Sequence, residues 1–308
     1  MLSYYKTIDG KMTQLDQVEP GCWIRCVEPT DEEISSLIHD FHIEPDFFRS
    51  ALDEEESSHI DIEDESTLVV VDIPILEKNG KNLAYSTMPL GIIITEKNIL
   101  TVCLRENPIM TEIAEGMVKN VQTNLKTRFI LTIMLRIATR FLQYLKQIDK
   151  LSDKVEKSLR KSMHNEELIQ LLDIEKSLVY FSSSLKADEI TMEKIMRGRA
   201  IKLYEEDQEL LEDVLIEIKQ AIEMSNIYLN ILSGTMDAFA SVISNNLNVV
   251  MKVLASITLL ISIPTVISSF YGMNVDFLPF PSFWFPTVLA AVCMIIAYWI
   301  LKKKEMFR

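Results

Sequence analysis

Two apolar runs near the C-terminus constrain this chain more than any other feature. Val253–Phe270 is 18 residues without a charge, and Phe283–Leu301 is 19. Each reaches the length of a helix that crosses a hydrocarbon layer about 30 Å thick. The two expected spans cover about 250–270 and 283–301. Between them lies a short loop, 271–282, which opens on Tyr271-Gly272-Met273-Asn274 and carries one charge, Asp276. Two crossings place both flanks on one side. Lys252 precedes the first run, and Lys302, Lys303, Lys304 and Arg308 follow the second, while the loop has no Lys or Arg. The basic excess of cytoplasmic flanks then puts both chain ends in the cytoplasm and the loop outside a cell membrane. Trp284, Tyr298 and Trp299 fall where interfacial anchors are expected.

The rest of the chain is acidic. Net charge is −14 over 308 residues, with a pI of about 4.9. Nucleic acid is excluded as a partner, because phosphate binding needs basic patches; cations are favoured. Cys22, Cys26, Cys103 and Cys293 form no zinc-site spacing and read as reduced thiols. Met1–Gly10 is polar and mixed, so no cleavable signal is expected.

Residues 1–105 read as a cytosolic α/β domain. Strands are expected over Cys22–Val27, Thr67–Leu76, Leu90–Thr95 and Asn98–Leu104, the last two joined by a tight hairpin at Glu96-Lys97. Thr30 and Glu33 form a capping-box pattern ahead of Ile34, Leu37, Ile38 and Phe41. Asp46–Leu52 is a second short helix. The acidic run Asp53, Glu54, Glu55, Glu56, Asp61, Glu63, Asp64, Glu65 reads as a solvated loop and strand entry, or as a cation-attracting surface at a subunit boundary. His39, His42 and His59 read as ordinary histidines.

Residues 106–247 follow the helical period. Helices are expected over 108–124, 127–162 and 165–196, with a short turn at Met163-His164-Asn165 making the last two antiparallel neighbours. Arg197-Gly198-Arg199 is the next break. From about Leu203 to Phe270 Gly234 is the one glycine and Pro264 the one proline. A helix of that span is roughly 100 Å long, so most of it stands in the cytosol and enters the membrane at its end. Residues 248–308 form the transmembrane domain, closing on a basic tail, 302–308.

The first span carries a polar and small-residue stripe. Asn248, Met251, Ala255, Thr258, Ser262, Thr265 and Ser269 recur at steps of three and four, within an arc of roughly 100°. Two uses fit: a helix-packing seam, or the lining of a pore. One helix cannot enclose a pore, so the second use requires an oligomer.

Tyr271-Gly272-Met273-Asn274 between two terminal spans, with the basic tail, resembles the CorA family of magnesium channels. Ser233-Gly234-Thr235-Met236-Asp237 and Asn248–Leu254 are similar to family signatures, and the domain order matches over nearly the whole chain. The resemblance implies a funnel-shaped homopentamer of α+β cytosolic domains, a long stalk helix and an α-helical membrane domain, with the first span around the pore. It matches Asn248, Met251, Leu254, Thr265, Gly272 and Asn274 to pore positions. It implies a hydrophobic constriction at Met251 and Leu254 and ion selection at Gly272, Met273 and Asn274 beside Tyr271. It makes Mg²⁺ both the transported and the regulatory ion, with no organic cofactor. Mg²⁺ gives up water reluctantly, so neutral oxygens from Asn274 and Gly272 suit the hydrated ion.

The same resemblance implies closure by cytosolic Mg²⁺ held between subunits. Asp213 matches a sensor position. Its partner position falls near Ser50, which is no carboxylate, so Asp53 or Glu54 is expected to substitute. The outer loop reads Leu278-Pro279-Phe280-Pro281 where the family often has an acidic residue, which leaves Asp276 to recruit ions. The function expected is Mg²⁺ influx driven by the membrane potential. The alternatives are Co²⁺, Ni²⁺ or Zn²⁺ transport on the same fold, or a non-transporting membrane-anchored helical scaffold. No phosphate loop, nucleophile elbow or paired metal-ligand motif supports an enzyme.

Overall fold

The computed structural model describes residues 1–63, 66–79, 82–162, 165–198, 201–274, 279–280 and 282–307. It parts into two compact units, Met1–Ser233 and Gly234–Arg308. Asp64, Glu65, Met163, His164, Arg199, Asp276, Leu278, Pro281 and Arg308 lie outside the described residues.

The first unit is built on a seven-stranded sheet, ordered β2-β1-β3-β7-β6-β5-β4. The strands are β1 (Leu2–Ile8), β2 (Lys11–Leu15), β3 (Trp23–Val27), β4 (His59–Glu63), β5 (Ser66–Asn79), β6 (Asn82–Ile94) and β7 (Ile99–Cys103). Only the β3–β7 pair is parallel among the described residues; the other pairs are antiparallel. β3 and β7 are buried along their whole length, so both faces of the sheet centre are covered.

One face carries α1 (Asp31–Phe41) and α2 (Pro45–Ala51). Leu37, Ile43, Phe47, Phe48 and Ala51 pack there with Cys22, Ile24, Cys26, Leu68, Val70 and Leu100. The expected capping box forms: Thr30 Oγ1 accepts from the Glu33 N–H at 3.2 Å, and Glu33 Oε2 accepts from the Thr30 N–H at 3.1 Å. Gly91 of β6 lets α2 sit close, since a Cβ there would lie 2.4 Å from Ala51 Cβ.

The other face carries α3 (Pro108–Ala114), α4 (Lys126–Ser162) and α5 (Asn165–Met196). Trp23 meets Phe129 of α4 edge-on at 5.4 Å. Its Nε1 donates to Thr101 Oγ1 at 2.8 Å. Phe181 of α5 packs edge-on against Phe141 of α4 at 5.0 Å.

The structure departs from, or adds to, the expected elements at three places. The helix expected over 108–124 stops at Ala114. Gly116 takes a left-handed φ of 70°, and Met117 N–H turns back to Glu112 O at 2.9 Å. The chain then runs to β1, where Thr7 Oγ1 donates to Val121 O. The β1–β2 hairpin was not expected; Asp9-Gly10, both at positive φ, makes its two-residue turn. The acidic run contains an edge strand, β4, paired to β5.

A short 3₁₀ turn (Glu205–Asp207) leads into α6 (Gln208–Tyr271), which begins later than the expected Leu203. α7 (Trp284–Lys303) follows.

Candidate functional site

α6 and α7 are the two described helices long and apolar enough to cross a membrane, and few of the residues in their apolar windows are buried. Within the second unit they touch along one line. Val249, Val253, Ser256, Leu260, Ile263, Ile267 and Tyr271 of α6 are covered or half-covered. Pro286, Ala290, Cys293 and Ala297 of α7 are likewise covered or half-covered. Ser256 Oγ donates to Lys252 O at 2.8 Å and reaches Met306 O at 3.4 Å, and Tyr298 packs on Phe307, so the tail lies against the same line.

The polar stripe is elsewhere. Asn248, Met251, Ala255, Thr258, Ser262, Thr265 and Ser269 are all exposed. At about 100° per residue their row lies roughly 150° from the row that meets α7. The stripe is therefore not the seam between the two helices of this chain. Met251 and Leu254 are each 56% exposed. Thr258, Ile261, Ser262, Thr265 and Val266 line a groove of about 310 Å³.

Three of the stripe's four hydroxyls, those of Thr258, Ser262 and Thr265, share one arrangement. Thr258 Oγ1 donates to Leu254 O at 2.9 Å, Ser262 Oγ to Thr258 O at 2.8 Å, and Thr265 Oγ1 to Ile261 O at 3.0 Å. Each proton is committed to the helix backbone one turn back. What remains outward is a row of oxygen lone pairs, acceptors only, suited to water protons around a cation.

At the end of α6, Gly272 N–H donates to Ser268 O at 2.9 Å. A Cβ at Gly272 would lie 3.3 Å from that oxygen, so glycine suits this tight finish. Met273 and Asn274 are exposed. Tyr271 Oη donates to Pro279 O at 3.1 Å, its ring stands 6.2 Å from Phe285, and Phe280 stacks on Phe285 at 4.9 Å. These contacts tie the start of the loop to its end. Asp276 lies outside the described residues.

The regulatory candidates are not joined within one chain. Asp213 is exposed on α6, and no hydrogen bond or ion pair engages its side chain among the described residues. Asp53 Oδ1 accepts from Glu55 N–H at 3.0 Å, and Glu54 is paired with Arg105 at 3.2 Å. Arg105 also holds Glu77 at 2.8 Å. Ser50 lies one residue before the end of α2, and its backbone carbonyl accepts from Asp53 N–H at 3.4 Å. Among the described residues no three His, Cys, Asp or Glu side chains cluster as a metal site.

Sequence reasoning passed over several charged groups of the first unit that are buried or tied to buried partners. Arg25 pairs with Glu106 by a short contact, and Glu112 binds both Arg136, at 2.7 Å, and Arg140. Asp72 and Asp188 lie buried where β5 meets α5. Asp188 could have been flagged: it falls on the buried row Phe181, Ser184, Leu185, Met192 and Ile195 of α5, where an acid is out of place.

The family described as CorA-like Mg²⁺ transporter protein matches residues 19–303. The chain is 28% identical over 294 residues to the cobalt/magnesium transport protein CorA of Methanocaldococcus jannaschii, covering 91% of this chain and 90% of that protein. The complete structure of the CorA magnesium transporter from the same organism superposes with a TM-score of 0.82 at 23% identity, over 98% of this chain and 96% of that one. The full-length CmaX protein shares the fold at a TM-score of 0.71 and 14% identity, over 98% and 96% of the two chains.

Proposed function

The chain belongs to the CorA-like Mg²⁺ transporter family, and from that premise we propose that it is a homopentameric channel for hydrated Mg²⁺, lined by α6. The observation that carries this reading is the position of the polar stripe, turned away from α7 with the hydroxyl protons of Thr258, Ser262 and Thr265 committed to the backbone. A lipid-facing surface has no use for such a row, whereas five copies around an axis present rings of acceptor oxygens.

The path has three stations. At the outer mouth, Asn274 side-chain oxygens and Gly272 carbonyls accept protons from the ion's water shell. Neutral oxygens attract the ion without trapping it. Mg²⁺ keeps its octahedral shell, so the mouth selects by the size and proton pattern of the hydrated ion. Thr265, Ser262 and Thr258 continue the acceptor row inward. Met251 and Leu254 close the inner end by excluding water. With both ends of the chain in the cytoplasm, the inside-negative potential drives entry, contributing roughly 2.3 kcal/mol per elementary charge per 100 mV.

Regulation follows from the free carboxylate of Asp213. Its exposure and lack of a partner suit a hydrated Mg²⁺ held against the next subunit. Asp53 keeps one carboxylate oxygen for that role, and Glu54 is drawn toward Arg105 instead. Mg²⁺ bound there neutralises carboxylates on facing subunits and favours the closed assembly. The relative from Methanocaldococcus jannaschii is named for cobalt as well as magnesium, and Co²⁺ is the second ion to examine.

The test is ion flux into liposomes holding the purified protein, with Mg²⁺, Co²⁺, Ni²⁺ and Zn²⁺ in turn. Potential-driven Mg²⁺ entry is expected, and Asn274→Ala should abolish its selectivity. Absence of flux for every ion would leave a membrane-anchored scaffold as the reading.

A further inference from the structure

α5 reaches the sheet through a side chain that such interfaces rarely bury. Asp188 is 1% exposed. Its Oδ1 accepts two hydrogen bonds, one from the Asp72 backbone N–H at 2.9 Å and a short one from Ser58 Oγ. Ser58 stands between the acidic stretch Asp53–Glu56 and β4, and Asp72 sits in mid-β5. One carboxyl oxygen thus fastens α5 both to the sheet and to the segment that follows the acidic stretch. The Asp72 carboxyl is itself 9% exposed. It stands in the wall of an acidic cavity of about 670 Å³ that also takes in Glu54, Glu55, Glu56, Glu77 and Asp173.

Asp188 takes the Asp72 backbone N–H and feels the Asp72 charge, and two buried acids in one site need a counter-charge or a proton. Among the described residues no ion pair reaches either of them. Arg105, after β7, is held by Glu54 and Glu77. Lys219 of α6 leans to Glu189 at 3.9 Å, and Lys176 of α5 stands over the Tyr180 ring. Lys186 of α5 is exposed. His59 of β4 lies between Glu56 and Asp61. From β6 and α4 come Tyr85 and Tyr144, in edge contact with each other, with Tyr85 Oη on Gln147.

An ionised carboxylate in such a place costs several kcal/mol, so the group neutralises instead. Two acids sharing one buried site titrate as a pair. Burial first, and then the neighbouring Asp72 charge, push the Asp188 carboxyl well above the usual aspartate range. Burial moves Asp72 the same way.

We propose that Asp72 and Asp188 form a proton-binding site that latches α5 and the Ser57–Ser58 segment to the sheet. With a proton on the pair, Asp188 Oδ1 holds its two donors without facing a second naked charge. When that proton leaves to solvent, two carboxylates oppose each other where β5 meets α5, with Asp188 sealed from water. Their repulsion is relieved by letting water in from the acidic cavity, and the segment carrying Asp53–Glu56 loosens. A folded acid whose pKa is raised contributes stability that is full below about 4, the ordinary aspartate value, and is lost as pH rises through the raised value. The latch is therefore closed toward acid and weakened toward alkali.

The test is hydrogen–deuterium exchange on the full-length protein in detergent from pH 5 to 10, corrected for the chemical exchange rate at each pH. Peptides covering 57–62 and 186–192 should open about tenfold more at the alkaline end, while peptides from α1 stay level. Asp188→Asn still offers an oxygen to both donors but cannot ionise, and should flatten the response. Asp72→Asn removes the opposing charge and should move the wild-type transition to lower pH; it also serves if Asp188→Asn does not fold. A level wild-type response, an Asp188→Asn response like wild type, or an unmoved transition in Asp72→Asn would each overturn the proposal.

Discussion

The backbone N–H of Asp72 donates to Asp188 Oδ1 at 2.9 Å, across 116 residues of sequence. A strand amide that would otherwise seek a neighbouring strand is answered by a helix side chain. Asp188→Ala strands that amide and the Ser58 hydroxyl, and a buried unsatisfied donor costs about 1–3 kcal/mol. Asp188→Asn keeps an acceptor in place and should cost clearly less. Chemical denaturation of the full-length protein, with Thr30→Ala as a helix-cap reference of about 1 kcal/mol, checks the order.

Glu112 has the opposite pH signature. Burial alone would raise its pKa, but hydrogen bonds from Arg140 and Arg136 outweigh that and hold it below the ordinary 4.5. A lowered acid contributes stability that is present above about 4.5 and lost as pH falls through the folded value. Glu112→Gln should flatten the acid limb of a stability–pH curve measured from pH 6 to 2. It should leave the alkaline limb, where the Asp72–Asp188 pair acts, as in wild type.

Gly91→Ala should destabilise the first unit. Its methyl would meet Ala51 Cβ at 2.4 Å, and the cheapest relief is to lift the end of α2 off β6. Overpacking of this kind costs about 1–3 kcal/mol. Ala51→Gly on the same chain should recover part of the loss, and thermal melts of the single and double variants measure it.

At the outer loop, Tyr271→Phe removes the hydrogen bond to Pro279 O but keeps the ring beside Phe285. Mg²⁺ flux should fall severalfold, with a reduced preference for Mg²⁺ over Co²⁺, because the loop holding Gly272 and Asn274 is less fixed. Gly272→Ala crowds Ser268 O at 3.3 Å and should lower flux more than Tyr271→Phe does. Liposome assays with both ions read the two effects separately.

Asp213→Ala should weaken closure by millimolar Mg²⁺, while Glu54→Ala should not, because Glu54 is already held by Arg105. Flux measured against internal Mg²⁺ concentration checks both variants.

Much of the architecture was legible because it rests on local rules. Thr30 and Glu33 announce a helix start wherever they occur in that spacing, and α1 starts there. The pattern 127–162 then 165–196 contains its own turn, and α4 and α5 follow it within a residue. Where local rules competed, the pattern misled. Val118 and Val121 continue an apolar rhythm past Ala114, yet Gly116 turns left-handed and the chain is drawn to Thr7 of β1 by hydrogen bonds no local window contains. β1 and β2 were missed for the related reason that β1 is mostly half-exposed and β2 mostly exposed, and Asp9-Gly10 was the one strong signal.

The amino-acid sequence by itself determined that two helices are apolar enough to cross a membrane and that the first has two unlike faces. Those are properties of composition and period, and no partner is needed to read them. Tertiary structure alone decided which face of α6 meets α7: the Val253, Leu260 and Ile267 row is half-covered, while Thr258, Ser262 and Thr265 stay exposed. It also decided that Asp188 meets Asp72. A helix position and a strand amide more than a hundred residues apart share an oxygen only after the sheet and helices have packed, and burial, which sets their chemistry, does not exist before that.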